Sequence, residues 1–211
     1  MVDALLKMDA EILLFIQDHI RQEWMDWFWK AVTHLGDGGV FWILLGIILL
    51  FSKKTRPAGV AALLALLVGA LITNVCLKNF VARIRPYEVV EGLRLMIERQ
   101  RDYSFPSGHT ATAFMAATMF HKEYGIRSPW YSVAGYTIAT ATAYSRLLNN
   151  RHWISDVLAG AGIGIISTEL GYWITGLIFK DKGIQWKEYG YDLRFPDRTP
   201  SFLGLYTGYM F

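Results

Sequence analysis

The stretch SRLLNNRHWISD at residues 145–156 decides how this chain folds, because it is a polar cluster between two long apolar segments. Those segments cover residues 128–145 and 153–179. A helix needs about 20 apolar residues to cross a bilayer, and both segments are near or above that length. We therefore expect the chain to turn at a membrane surface here and to present the arginines, histidine and aspartate of this cluster on one side.

Two further polar clusters lie at the ends of apolar segments. KNFVARIRP, residues 78–86, ends the segment 57–80, and PSGH, residues 106–109, begins the segment 106–120. If each apolar segment crosses the membrane once, all three clusters return to the same face. The sequence therefore predicts a single site that contains cations, histidines and a carboxylate beside lipid.

The composition is that of a membrane protein with one helical domain. Of the 211 residues, 53% are hydrophobic and 18% are charged, below the roughly 25% charged residues of soluble domains. A fifth apolar segment, residues 40–51, reaches spanning length only when it is extended to residues 35–52. We therefore expect an all-α, polytopic membrane bundle with five or six transmembrane helices.

The charge argues against a nucleic-acid-binding protein, and the cysteine content does not indicate the cellular compartment. The net charge of +3 comes without a long basic run, so we expect no nucleic-acid partner. Cys76 is the only cysteine and cannot form an intramolecular disulfide. Nothing in the sequence indicates an oligomeric state.

We divide the chain into an N-terminal segment (residues 1–34), a membrane-embedded domain (35–180) and a C-terminal tail (181–211). In the N-terminal segment, apolar residues recur at helical spacing, at Leu5, Met8, Ile12, Phe15, Ile16 and Ile20. An amphipathic helix in the membrane interface fits this pattern, and so does a helix packed on the rest of the protein. Charged residues interrupt the segment, which does not resemble a cleaved signal.

Basic connections suggest the orientation in the membrane. Lys53, Lys54 and Arg56 join two apolar segments, and residues 121–127 join two others. Short basic loops favour the cytoplasmic side. The opposite face also carries many cations, so a plain count of basic residues is ambiguous, and we discount several of them because we assign them to the chemistry. The predicted location is thus the bacterial inner membrane, with the site facing the periplasm or exterior.

Three of these cations form a candidate phosphate clamp, namely Lys78, Arg85 and Arg146. Arginine offers paired planar donors that match phosphate oxygens, and lysine adds a compact charge. Together they would balance the charge of a phosphate in its transition state. The alternative is that each side chain extends toward lipid headgroups from a helix end.

The PSGH cluster is predicted to begin a helix that faces an anion. Ser107 can donate its hydroxyl and backbone N–H to phosphate, and Gly108 lets the backbone approach closely. Free N–H groups of the helix N-terminus favour the same anion, and His109 would point at it. An ordinary serine cap followed by a surface histidine is the alternative.

His152 and Asp156 are four residues apart, which places them on one face of a helix. A carboxylate that accepts a hydrogen bond from Nδ1–H would fix the imidazole tautomer and leave Nε2 free to attack phosphorus. A structural salt bridge is the alternative. A metal site lacks a second carboxylate at ligand spacing, and the neighbouring cations would repel a metal, so we expect no metal and no cofactor.

In order and spacing, K-x6-R-P, P-S-G-H and S-R-x5-H-x3-D resemble the type 2 phosphatidic acid phosphatase superfamily. The positions that carry the resemblance are Lys78, Arg85, Pro86, Pro106, Ser107, Gly108, His109, Ser145, Arg146, His152 and Asp156. The resemblance implies an all-helical fold and metal-independent phosphatase chemistry. It also implies that His152 becomes a phosphohistidine with help from Asp156, and that His109 protonates the leaving group.

The apolar segments imply that the leaving group is a lipid. Candidate substrates are undecaprenyl pyrophosphate, phosphatidylglycerol phosphate, phosphatidic acid and the phosphorylated sugar lipid of the outer membrane. The same superfamily includes vanadate-dependent haloperoxidases, which are an alternative to a phosphatase. Those enzymes are soluble, and the apolar segments of this chain argue against that alternative. A non-catalytic lipid-phosphate binding or transport protein would need the clamp but not the pair His152 and Asp156.

Overall fold

The computed structural model describes residues 2–35, 39–125 and 128–180; within these ranges the chain is helical and contains no β-strand. The helices are α1 (Val2–Phe15), α2 (Asp26–Leu35), α3 (Gly39–Leu50), α4 (Arg56–Ala70), α5 (Lys78–Val81), α6 (Pro86–Val89), α7 (Gly108–Phe120), α8 (Pro129–Leu148) and α9 (Ile154–Lys180). Turns of π-helix follow α1 and α7 and join α4 to α5, at Ile16–Ile20, His121–Gly125 and Leu71–Leu77. The predicted all-α class is confirmed, and the tail at 181–211 lies outside the described residues.

The apolar segments correspond to helices with shifts of a few residues. The segment predicted at 57–80 is a continuous helical stretch from α4 to α5. Among the described residues, Arg56–Val89 and Ile154–Phe179 are long and apolar enough to cross a membrane, and Gly39–Leu50 is apolar but shorter. The expectation of five or six spans stays a prediction.

Helix α9 lies at the centre of the bundle and packs against α4 and α7. Its glycines at 160 and 164 allow the close approach of α7. A Cβ atom at Gly160 would lie 2.5 Å from the carbonyl oxygen of Ser107, and one at Gly164 would lie 2.3 Å from that of Ala111. Such small-residue contacts are typical of helices packed in lipid. They place the start of α7 beside the start of α9.

The bundle has small residues inside and large apolar residues outside. Ala61, Ala65 and Ala117 are buried between helices, whereas Phe80, Trp130 and Leu158 are 87%, 77% and 67% exposed. Many other large apolar side chains of the described residues are exposed as well, on most of the helices. This inverted distribution fits helices surrounded by lipid.

Helix α1 packs on the rest of the protein. Leu13 and Ile16 are buried in a cluster with Leu147, Leu148 and Trp153, which flank the loop between α8 and α9. The apolar periodicity of the N-terminal segment is compatible with a helix in the membrane interface or with a helix packed on the rest of the protein, and the second interpretation holds for these residues. Whether the exposed face of α1 lies in a membrane interface stays a prediction.

Candidate active site

The three polar clusters meet at one end of the bundle. The Nη1 atom of Arg85 donates to the carbonyl oxygen of Arg151 at 2.8 Å, which joins the first cluster to the third. The backbone N–H of Ser107 donates to the carbonyl oxygen of Asp156 at 3.1 Å, which joins the second to the third. The prediction that all three clusters share one face is confirmed.

The imidazole of His152 is buried, and its surroundings select one tautomer. Nδ1 lies 2.8 Å from the carbonyl oxygen of Ser104, which can only accept a hydrogen bond, so the proton is on Nδ1. Nε2 then carries the lone pair and lies 3.4 Å from Nη1 of Arg85. Burial and the positive charges of Arg146, Arg85 and His109 lower the pKa of His152 well below its usual value. The ring is therefore neutral and nucleophilic at neutral pH.

Asp156 does not form the predicted hydrogen bond to His152. Helix α9 begins at Ile154, so His152 precedes the helix and Asp156 lies in its first turn. The Oδ2 atom of Asp156 accepts from the backbone N–H of Trp153 at 2.9 Å and lies 3.6 Å from Nδ1 of His152, beyond hydrogen-bond distance. The prediction that Asp156 fixes the tautomer directly is wrong, because the Ser104 carbonyl takes that position. Its carboxylate still lies close enough to favour positive charge on the ring.

Arg85 is almost fully buried and is held mainly by backbone carbonyl groups. Its Nε donates to the carbonyl of Asp102 at 2.9 Å, and its Nη2 lies 3.2 Å from that of Tyr103. Nη2 also pairs with Oδ1 of Asp102 at 2.7 Å. Lys78 pairs with the other carboxylate oxygen of Asp102. Arg85 thus points into the protein and does not extend toward headgroups.

Arg146 is fully buried near the same histidine. Its Nη1 lies 3.4 Å from the hydroxyl of Thr33, and Asn149 donates to that hydroxyl at 3.0 Å. Thr33 belongs to α2 and lies outside the three clusters. The N-terminal segment therefore contributes a contact to Arg146. The predicted clamp residues Lys78, Arg85 and Arg146 all lie at this end of the bundle.

The PSGH cluster begins a helix as predicted, with one difference in its donors. Ser107 precedes α7 and is buried, but its N–H is already bonded to Asp156, so the predicted donation of this N–H to phosphate is wrong. Its hydroxyl oxygen accepts from the hydroxyl of Thr110 at 2.9 Å, which leaves the Ser107 O–H as a donor.

A Cβ at Gly108 would meet no atom of the described chain within 4 Å. His109 lies in the first turn of α7, close enough to act on the pKa of His152.

Arg83 and Asp9 also belong to this site, although neither is among the site residues predicted from the sequence. Arg83 donates to Oδ1 of Asp156 and to Oδ2 of Asp9, both at 2.7 Å, and its guanidinium lies 4.8 Å from the centre of the Trp153 ring. Asp9 is fully buried on α1.

A signal for Asp9 exists in the sequence, because it falls on the apolar stripe of the helix, four residues from both Leu5 and Leu13. A charge on that stripe requires a buried partner.

The donor chemistry of the site suits an anion. Across residues 2–35, 39–125 and 128–180, no group of three or more His, Cys, Asp or Glu side chains is placed to hold a metal ion. The charged donors that act on His152 include the guanidinium groups of Arg85 and Arg146, and such groups bind phosphate oxygens. A buried neutral imidazole beside such donors can attack a phosphorus atom that they position.

Comparison with known proteins identifies similar chains. A family model described as the PAP2 superfamily matches residues 58–179. A lipid A 1-phosphatase from Porphyromonas gingivalis is 70% identical over 78 residues, which are 37% of this chain and 18% of that protein. An undecaprenyl-diphosphatase from Sulfolobus acidocaldarius is 31% identical over 58% of each chain. The chain therefore spans less than two thirds of the length of either relative.

A solved structure has a similar fold over most of the chain. The transmembrane PAP2-type phosphatidylglycerolphosphate phosphatase from Bacillus subtilis matches with a TM-score of 0.66 and 26% identity. The match covers 86% of this chain and 90% of that one. It extends beyond residues 58–179 and therefore includes more than the three clusters.

Proposed function

The chain belongs to the PAP2 superfamily, and from that premise we propose that it is an integral membrane phosphatase that hydrolyses a lipid phosphate or diphosphate. One observation carries the proposal. The unprotonated Nε2 of His152 lies 3.4 Å from the guanidinium of Arg85, beside Arg146 and His109. It supports a role for His152 as the nucleophile and for the neighbouring cations as the donors that hold the phosphoryl group.

The proposed reaction has two displacements. Nε2 of His152 attacks phosphorus, the bond to the lipid oxygen breaks, and His109 gives that oxygen a proton. His109 then takes a proton from a water molecule whose oxygen attacks the phosphohistidine, and the P–N bond breaks, which releases inorganic phosphate and restores both histidines. The Ser104 carbonyl and the nearby Asp156 carboxylate stabilise the positive charge that develops on the ring. Neither step requires a metal or a cofactor.

The phosphoryl oxygens are held by the remaining predicted residues of the site, Lys78, Arg85, Ser107, Gly108 and Arg146. The cations offset the charge that develops in the transition state, where a preformed polar site is most effective. Packing gives no reason for glycine at 108, since a Cβ there would touch no described atom. Close approach of a phosphoryl oxygen to the backbone is the role we propose for it.

The substrate class is a membrane lipid with a terminal phosphate. The names of the similar proteins specify lipid A, undecaprenyl diphosphate and phosphatidylglycerolphosphate, which share a phosphate on a lipid but differ in headgroup. Exposed apolar helices would give such lipids lateral access to the site. Undecaprenyl pyrophosphate, phosphatidylglycerol phosphate, phosphatidic acid and the phosphorylated sugar lipid therefore remain the candidates.

The first test is phosphate release from these four lipids by purified protein in detergent. We expect release from at least one of them, and full activity in excess EDTA, because the donors of the site are cationic. Activity that disappears in EDTA and returns with a divalent metal would contradict the proposed chemistry. Binding of the lipids without release would support a non-catalytic binding or transport protein instead.

A second prediction concerns orientation in the inner membrane. We propose that the active site faces the periplasm or exterior, because Lys53, Lys54 and Arg56 lie at the opposite end of the bundle. In a Cys76→Ala background, Glu91→Cys should react with an impermeant thiol reagent in intact cells, and Lys54→Cys should react only after lysis. Labelling of Lys54→Cys alone in intact cells would reverse the topology.

A further inference from the structure

The carboxylate of Asp102 lies between two cations of the clamp. Oδ1 is 2.7 Å from Nη2 of Arg85, and Oδ2 pairs with Nζ of Lys78. Asp102 belongs to the loop between α6 and α7, outside the three clusters. It is thus an anion of the chain itself, bound by the groups proposed to bind phosphate.

Asp102 is ionised over the whole range in which a phosphatase is assayed. Partial burial alone would raise its pKa, but hydrogen bonds and charge from Lys78 and Arg85 lower the pKa to about 2. Because the carboxylate loses its charge only near that pH, mild acid does not separate it from the cations.

Arg85 does not depend on the Asp102 side chain for its orientation. Nε is held by the Asp102 carbonyl, Nη1 by the Arg151 carbonyl, and Nη2 has a second acceptor in the Tyr103 carbonyl. Loss of the carboxylate alone therefore leaves the guanidinium in place. Its principal effect would be to free one Nη2 hydrogen and the Lys78 ammonium for another anion.

We propose that Asp102 is an internal competitor of the phosphoryl group for Lys78 and Arg85, and that it sets the affinity of the clamp and promotes release of inorganic phosphate. This inference rests on the proposed function. The Asp102 side chain is 51% exposed, so it can turn toward solvent when phosphate binds without burying an unpaired charge. When phosphate leaves, the carboxylate returns to the two cations.

The test compares Asp102→Asn with Glu91→Gln. Both variants remove one negative charge from the same loop, but Glu91 is exposed and, among the described residues, forms no ion pair with Lys78 or Arg85. Binding of radiolabelled inorganic phosphate is measured by equilibrium dialysis in detergent, and the KM and kcat for a lipid phosphate are measured beside it. We expect Asp102→Asn to bind phosphate about tenfold more tightly, with a lower KM and slower release of product, and Glu91→Gln to match the wild type.

Unchanged or weaker phosphate binding in Asp102→Asn, with lipid turnover intact in the wild type, would overturn this inference and leave the proposed function standing. In the converse case the wild type does not hydrolyse lipid phosphates, yet Asp102→Asn binds phosphate more tightly and Lys78→Met does not bind it. That result would support the competition and reject the proposed function. Asp102→Ser, which also removes the carboxylate, is measured in parallel so that instability of one variant does not decide the outcome.

Discussion

His152→Ala is expected to abolish turnover of every lipid phosphate, with a fall in kcat of more than about 10⁴-fold. In the structure, Nε2 of His152 is the unprotonated nitrogen beside Arg85, because the Ser104 carbonyl holds the proton on Nδ1. Alanine removes the proposed nucleophile and therefore the proposed phosphohistidine intermediate. The measurement is the steady-state release of phosphate in detergent.

A matched control for this variant is His121→Ala. His121 follows α7 at the end away from the active site, where its Nδ1 lies 2.8 Å from the hydroxyl of Ser132. We expect this change to reduce stability modestly and to leave kcat near the wild-type value. Turnover by His152→Ala within tenfold of the wild type would contradict the role assigned to His152.

His109→Ala is expected to slow the enzyme by about 10²–10⁴-fold on lipid monophosphates, the usual contribution of a general acid. His109 lies in the first turn of α7, and its charge lowers the pKa of His152, the proposed nucleophile. A lipid alkoxide is a poor leaving group and needs the proton. Nitrophenolate, the leaving group of nitrophenyl phosphate, departs readily without protonation, and so does the lipid monophosphate that leaves a lipid diphosphate. The rates for these two substrates should therefore fall less in His109→Ala than the rate for a lipid monophosphate.

To check this prediction, the rate for a lipid monophosphate is divided by the rate for nitrophenyl phosphate in the wild type and in each variant. Lys78→Met should lower the rate for all substrates together, because we propose that Lys78 binds the transferred phosphoryl group, which is common to all of them. It therefore serves as the control for His109→Ala. Equal losses for lipid and nitrophenyl substrates in His109→Ala would show that His109 is not the acid.

The sequence predicts that the three clusters meet at one end of the bundle, because two physical constraints limit how the apolar segments can be arranged. Apolar segments must form helices in lipid, where backbone groups have no other partner. Each cluster lies at a segment end, so the number of segments between them fixes the face on which they meet. For the same reasons the predicted helices at 57–80, 128–145 and 153–179 differ from the observed ones only at their ends.

The partners of the catalytic groups are less accessible to sequence analysis. The hydrogen bond to Nδ1 of His152 comes from the backbone carbonyl of Ser104, and a carbonyl is present at every residue. The predicted hydrogen bond between Asp156 and His152 is absent because α9 begins two residues after His152, so the two side chains do not share a helical face. Secondary structure is least predictable at helix ends, and the active site lies at one.

Contacts from the N-terminal segment depend on tertiary packing that no local pattern specifies. Thr33 supports Arg146, and Asp9 binds Arg83, which in turn binds Asp156. The periodicity of α1 predicts an apolar face but not the surface that this face covers. Only the charge of Asp9 on that face indicates a buried partner, and it does not identify Arg83.

The most direct test of the proposed mechanism is to trap the covalent intermediate and locate it. Purified protein is mixed briefly with a phosphate-labelled lipid substrate, quenched under conditions that preserve phosphohistidine, and digested for peptide mapping. We expect label on His152 in the wild type, no label in His152→Ala, and label still present in His109→Ala with a substrate whose leaving group is acidic. Label that remains in His152→Ala, or that maps to His109, would contradict the assignment of His152 as the nucleophile.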